Sequence, residues 1–459
     1  MLWIPFAFAA DPKPEPAPDD GVKPVFFAGS YGRAQASTDL AGGGGDAVNV
    51  VSHPPRLEQG PYLELDLGFK ADMPNGTKFD VLITPALAGD LFHYDGDFGN
   101  DIGLRNLFAQ ATHEVATGVP VSVWAGSRMY RGDDIYLLDF WPMDNLNTYG
   151  GGVVVSPGNT EIAAQVGVNR LTGDDWQVQD VRVAAADVVS GEQVRVLDRQ
   201  RTIGSLRLSQ KIPIGRVTLR AKAYAELHGL PAGRRAVDDP FQDLTYEDLP
   251  PDQGSMVGVQ LSAWGWAPQS FVHLWARRST GLAAYGELAI PSDGLALDER
   301  VSSARSWMFA STGNTEFKHF GVMYASYLSY FQDADGQAVD FDDRWEWVGV
   351  VRPNVYLGQN WAIGVEASHQ LVRPNGLNPR SEQFDVPHIT KLSLLPGIQV
   401  GHGGYARPRI QLQYTASLLD PAARKFFSPD DARVSPGVQH FVGLGAEWWL
   451  NSQRVVTPK

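Results

Sequence analysis

Apolar and polar residues alternate along most of this chain with a period of two. At 62–69, Leu63, Leu65, Leu67 and Phe69 share one face, and Tyr62, Glu64 and Asp66 the other. At 217–227 every odd position is apolar, against Thr218, Arg220, Lys222, Tyr224 and Glu226. At 407–418, Arg407, Arg409, Gln411, Gln413, Thr415 and Ser417 oppose Pro408, Ile410, Leu412, Tyr414, Ala416 and Leu418. Similar alternation runs through 257–264, 271–277 and 362–370. A strand points successive side chains to opposite faces, whereas a helix repeats every 3.6 residues. No stretch sustains a helical face. Turn-rich pieces at 41–46, 94–102, 149–159, 229–255, 332–344 and 419–437 separate the runs, so the chain reads as one antiparallel all-β domain.

Two architectures accommodate that pattern. In a soluble sandwich the apolar face is the core; in a transmembrane β-barrel it meets lipid, and the polar face lines a wet lumen. The runs exceed the usual soluble strand of about 5–6 residues and suit membrane strands of ~9–11. Their polar faces carry charges of both signs, and aromatics such as Trp264, Trp266, Phe271 and Trp275 sit on that face or near strand ends. These features favour the barrel. Residues 25–450 hold 16 or 18 strands, at about 27 or 24 residues per strand and loop.

Composition narrows the function. No run of ~18 apolar residues exists for a helical span. The net charge of −14 disfavours a nucleic-acid partner. Without cysteine there is no thiol catalysis, zinc ribbon or disulfide scaffold. The opening MLWIPFAFAA, ending in small residues, reads as a remnant of an export signal at 1–10, although its basic flank is missing. A Pro-rich linker at 11–24 follows, then the barrel domain at 25–450 and a tail at 451–459.

No nucleophile elbow, P-loop, dinucleotide fingerprint or His-Glu-x-x-His is present, so no catalytic residue, metal or cofactor is expected. The ten histidines lack ligand spacing, and His113 and His273 read as wall or packing residues. The run Asp95–Asp101 lacks the EF-type spacing of a calcium loop. Asp134 with Asp139 forms a carboxylate pair of the kind any acidic chain offers.

The segment Trp124 to Trp141, WAGSRMYRGDDIYLLDFW, resembles the maltoporin (sugar porin) family, in which such a strand runs through a charged patch into an inward-folded constriction loop. Gly29-Ser-Tyr-Gly-Arg33, Tyr62 to Gly68, Arg105 followed by Gln110, Arg407-Pro-Arg-Ile410 and Gly443 to Trp449 agree in order and spacing. The likeness is strong at 25–145 and 400–450. It implies an eighteen-stranded outer-membrane homotrimer that passes maltodextrins or related sugars by diffusion, along an aromatic slide flanked by ionisable tracks. A sugar ring stacks its apolar face on aromatic surface, while Arg donors and carboxylate acceptors serve its hydroxyls.

Carried over residue by residue, the resemblance makes Tyr31, Tyr62 and Trp449 slide aromatics. It makes Arg33, Glu64, Arg56, Arg105, Asp134 and Asp139 track residues, and Arg131 and Trp141 constriction residues. Parity puts Trp449 inward and Trp448 toward lipid. The family's constriction arginine falls on Gly132, so Arg131 serves only with a shift of one residue. Its pore-pinching tyrosine falls on Trp141. A later slide tryptophan falls on Leu357, where parity favours Tyr356. The mid-pore phenylalanine finds no clear match between Trp266 and Phe271, and Phe92 or Tyr94 stand for the tip-loop aromatic. A general or other-sugar (sucrose-like) porin and a soluble carbohydrate-active sandwich remain as alternatives.

Overall fold

The computed structural model describes residues 23–89, 101–169, 178–182, 193–197, 200–237, 245–286, 300–334, 341, 343–428, 431 and 437–451. The expected signal remnant, nearly all of the linker and tail, the run Asp95–Asn100, and Phe92 and Tyr94 lie outside those residues.

Eighteen antiparallel strands of 10–16 residues form one sheet. The first, Lys23–Thr38, pairs both with its successor Tyr62–Asp72 and with the last, Val438–Asn451. That double pairing closes the sheet into a barrel and leaves no edge strand unpaired. Connections alternate in length. Short turns such as 73–77, 117–118 and 156–159 occupy one rim, and long loops such as 39–61, 132–144 and 375–387 the other. Two small hairpins, Val178–Arg182 with Gln193–Leu197 and Gly233–Val237 with Thr245–Leu249, rise within the long loops.

Burial is inverted relative to a soluble protein. Leu206, Leu208, Val257, Val259, Leu261, Leu394, Ile410 and Leu412 are exposed, whereas Lys222, Gln260, Asn314, Arg352, Glu366, Lys391 and Arg409 are buried. In each case neighbours along one strand alternate, so the apolar set forms an outer band and the charged set lines the interior. This rules out the sandwich alternative: its apolar face would be enclosed between sheets, and here that face is the outside of a closed wall.

Two long loops turn into the barrel. In residues 132–144, Ile135, Tyr136, Leu137, Leu138, Phe140 and Met143 are all buried. They cover an apolar patch of the inner wall formed by Trp275, Met308, Met323, Tyr327 and Val348. The loop's sharp bends fall on Asp139 (φ 49°) and Asp144 (φ 58°), a left-handed conformation that Asp tolerates better than bulkier residues. Residues 39–61 form the second inward loop, in which Val48, Val50 and Val51 pack on Val372, Ile389 and Leu419. The turn 400–408 brings Tyr405 in from the short-turn rim to meet Tyr136, with 5.2 Å between ring centroids.

Candidate functional site

The register of three strands builds one side of the pore. Tyr31 lies opposite both Glu64 and Trp449, and Arg33 opposite both Tyr62 and Glu447. All six therefore share the lumenal face. Trp448 is on the other face, where its ring covers Gly32: a Cβ at that glycine would lie 2.3 Å from the indole. Its Nε1 donates to Ser30 Oγ at 3.1 Å.

Arg105 reaches the same wall through a bulge. The pairing of Lys78–Ala88 with Asp101–Ala116 shifts between Thr84 and Pro85, and Arg105 is the residue left over. The extra residue re-aims the side chain. Its guanidinium pairs with Glu64 at 2.6 Å and hydrogen-bonds Tyr62.

Loop residues complete the network. Glu447 accepts from Arg56 at 2.9 Å and Tyr136 Oη at 2.7 Å, and pairs with Arg407 at 2.6 Å. Arg56 also donates to Tyr31 Oη at 2.7 Å and lies over the Tyr136 ring at 4.2 Å. Burial alone would lower the Arg56 guanidinium's pKa, but Tyr136 and Glu447 reverse this and hold it well above its ordinary value. Arg33 pairs with Asp139 at 3.2 Å, which ties the constriction loop to the first strand.

On the opposite wall the constriction loop is held by Asp133, a residue that sequence reasoning passed over in favour of Asp134. Asp133 pairs with Arg220 and, at 3.0 Å, with Lys222, and accepts from Gln260 at 2.9 Å. Burial alone would raise its carboxyl, but Lys222 and Arg220 outweigh that and hold it far below the usual range. Asp134 next to it is exposed to the lumen. Arg131, the last residue of strand Val119–Arg131, lies 3.8 Å over the Trp141 ring, while Gly132 N donates to Asp144 O at 2.7 Å and closes the loop's base.

Tyr356 points inward and Leu357 outward, but the tyrosine is only 4% exposed. Its hydroxyl donates to Glu316 at 2.7 Å and its ring lies 4.3 Å from His402. It is packed into the wall rather than presented to the lumen.

The aromatic contacts form a chain across the interior. Trp449 meets Tyr136 at 6.1 Å, and Tyr405 meets Phe271 at 5.8 Å. Phe271 then meets His273 at 4.9 Å, and His273 meets Trp275 at 5.6 Å. Tyr136 and Tyr405 link the two halves, and neither was singled out from the sequence. The only signal they offered was to be aromatics in loops flanked by charge.

The interior thus offers ring surfaces beside paired charges and, among the described residues, no cluster of metal ligands. The model of the LamB porin family matches residues 26–449. The chain belongs to that family. It is accordingly an outer-membrane porin, a channel and not an enzyme, and its aromatic and charged interior is the wall of a diffusion path. No curated protein sequence matches the chain. Solved structures similar to this LamB-family porin include OccK2 (OpdF) of Pseudomonas aeruginosa, at 12% identity and TM-score 0.45, covering 93% of this chain and 98% of that one. Acinetobacter baumannii OccAB1 is similar at 10% identity and TM-score 0.46, covering 94% and 97%. A BenF-like porin from Pseudomonas fluorescens Pf-5 is similar at 9% and 0.43, covering 94% and 98%.

Proposed function

We propose that this porin carries maltodextrins or related oligosaccharides by facilitated diffusion, and that it does so as a homotrimer. The aromatic chain from Trp449 through Tyr136, Tyr405 and Phe271 to Trp275 is the observation that supports the sugar reading most directly. Trp449, Tyr405 and Phe271 are partly exposed and can each take a pyranose face, while Tyr136 and Trp275 are buried and back them. The flanking groups Arg33, Arg56, Glu64, Arg105, Asp134 and Asp139 exchange donors and acceptors with hydroxyls. Many weak stations let a solute leave as readily as it enters. Arg131 and Trp141 set the narrowest passage in this account, with Trp141 as its stacking face. Tyr31, Tyr62 and Trp449 are the stations on one wall; Tyr356 takes part only if its ring leaves the wall.

Liposome swelling tests the proposal. Vesicles holding the protein should swell faster in maltotriose than in a polyethylene glycol of equal hydrodynamic radius. Equal rates would mean a general porin without sugar recognition, and swelling in sucrose alone would move the preference to another sugar.

A further inference from the structure

The chain is acidic overall, with a net charge of −14, yet one pocket of its lumen is basic. Arg33, Arg56, Arg352, Arg407 and Arg409 line a cavity of about 70 Å³ together with a single carboxylate, Glu447. Four of the five arginines have a carboxylate partner. Arg33 has Asp139, Arg56 and Arg407 share Glu447, and Arg352 pairs with Glu366 at 2.7 Å. Arg409 has none among the described residues. It is 3% exposed, and among the described residues its one side-chain hydrogen bond goes to Leu395 O at 3.3 Å and its Nε has no partner.

A buried guanidinium flanked by further guanidiniums is costly unless a counter-charge joins it. The cavity has room for several waters, and hence for one carboxylate or phosphoryl group in their place. Amides of Gln35, Gln411 and Gln413 line the same cavity and can complete the contacts to an oxyanion. A second lumenal cavity, of about 310 Å³, lies where Asp133 meets strands Thr160–Asn169 and Arg201–Ile214. It too is basic, with five cations against two carboxylates.

The geometry points to an oxyanion station centred on Arg409, by which the channel takes sugars that carry a carboxylate or phosphate group. This rests on the sugar reading above and names the solute class within it. The station adjoins the aromatic chain: Tyr136 lines its cavity, and Arg407 lies 4.7 Å over the Trp449 ring. A solute ring stacked on the partly exposed Trp449 therefore has guanidinium donors beside it, and a planar fork suits an oxyanion better than an ammonium does.

Planar-bilayer recordings of the purified full-length porin test this with maltose, maltobionate and inorganic phosphate as separate probes. In a potassium chloride gradient the reversal potential should show anion preference. Maltobionate should block at about tenfold lower concentration than maltose, the value of one charge-assisted hydrogen bond. Arg409→Gln should narrow that ratio to about threefold or less, and Arg409→Lys should restore part of it. Equal block by maltose and maltobionate in the unsubstituted protein would overturn the station while leaving the sugar reading intact. Block by phosphate and by neither sugar would overturn the sugar reading and with it the solute class, leaving a bare anion site. A ratio unmoved by Arg409→Gln would also overturn the assignment. If that variant does not insert, the comparison in the unsubstituted protein still decides.

Discussion

The imidazole of His53 lies on the ring of Phe140, with 3.6 Å between centroids and 20° between planes. His53 belongs to the loop 39–61 and Phe140 to the loop 132–144, so this stack fastens the two inward loops to each other inside the barrel. Tyr327 of the wall adds an edge contact at 5.7 Å, and its hydroxyl donates to Glu346 at 3.1 Å while accepting from His53 N at 3.2 Å. Burial, with the nearby Arg277 against it and Glu346 opposing, pushes the imidazole down from 6.5 to about 4.

A pH dependence follows. A histidine whose folded pKa is depressed is held neutral, so its stabilising effect is complete above the unfolded value and is lost as pH falls. The window runs from 6.5 down to about 4. Because the ring keeps some contact with lumen water, the effect amounts to about 2 kcal/mol at most. Open-channel noise should therefore rise on acidification through that window, and His53→Phe should flatten the rise. Noise that is insensitive to pH in the original protein would remove His53 from this role.

Asp133 predicts a second phenotype. Asp133→Asn deletes the carboxylate that Arg220 and Lys222 share. Breaking such a pair leaves the cations uncompensated, at about 1–3 kcal/mol for a carboxylate that keeps some water contact. The constriction loop should swing more freely, giving larger and noisier single-channel currents. Asp134→Asn, on the exposed neighbour, should leave current noise as it was.

Glu447→Gln is the corresponding change on the other wall. Arg56 and Arg407 would face each other with no carboxylate between them, which should cost about 3–5 kcal/mol. The temperature at which the folded form disappears from a heat-modifiability gel should fall. An unchanged temperature would mean that water or buffer anions replace the carboxylate fully.

Trp141 separates solute contact from packing. Stacking of one sugar ring is worth on the order of 1 kcal/mol, or about fivefold in affinity. Trp141→Ala should raise ion conductance and weaken maltodextrin block by about that factor with the assembly still heat-stable. If the block is unchanged while noise or heat stability shifts, the indole serves only to seat Arg131 and the loop.

The assembly proposal is tested on the same gels. Unboiled samples should run near three times the 50.1 kDa chain mass and collapse on heating. A band at monomer mass in mild detergent would contradict a trimer.

The strands were legible in the sequence because alternation is local: a few residues at 443–449 are enough to put Glu447 and Trp449 on one face and Trp448 on the other. Closure into eighteen strands was not local, and spacing alone left sixteen open. The site divides along the same line. Wall residues such as Tyr31, Arg33, Tyr62 and Glu64 follow from parity and motif. Asp133, Tyr136 and Tyr405 stand on loops, where no period fixes direction and where contacts hundreds of residues away decide it; Arg407, read as the first residue of an alternating run, stands on the turn just before the strand Arg409–Leu419. In the loop 39–61 the sequence marked only the turn-rich 41–46 and Arg56, since Val48, Val50 and Val51 gain their meaning only once Val372, Ile389 and Leu419 are beside them. Arg105 faces the lumen through a bulge that no alternation rule anticipates.

Single-channel recording with added maltodextrin tests the central claim most directly. The purified porin in a planar bilayer should show small conductance steps that maltohexaose interrupts, with half-block at about millimolar concentration or below, as several stations of about 1 kcal/mol would give. Steps that no oligosaccharide interrupts, charged or neutral, would contradict it and leave a general diffusion pore whose aromatic chain only packs the loops.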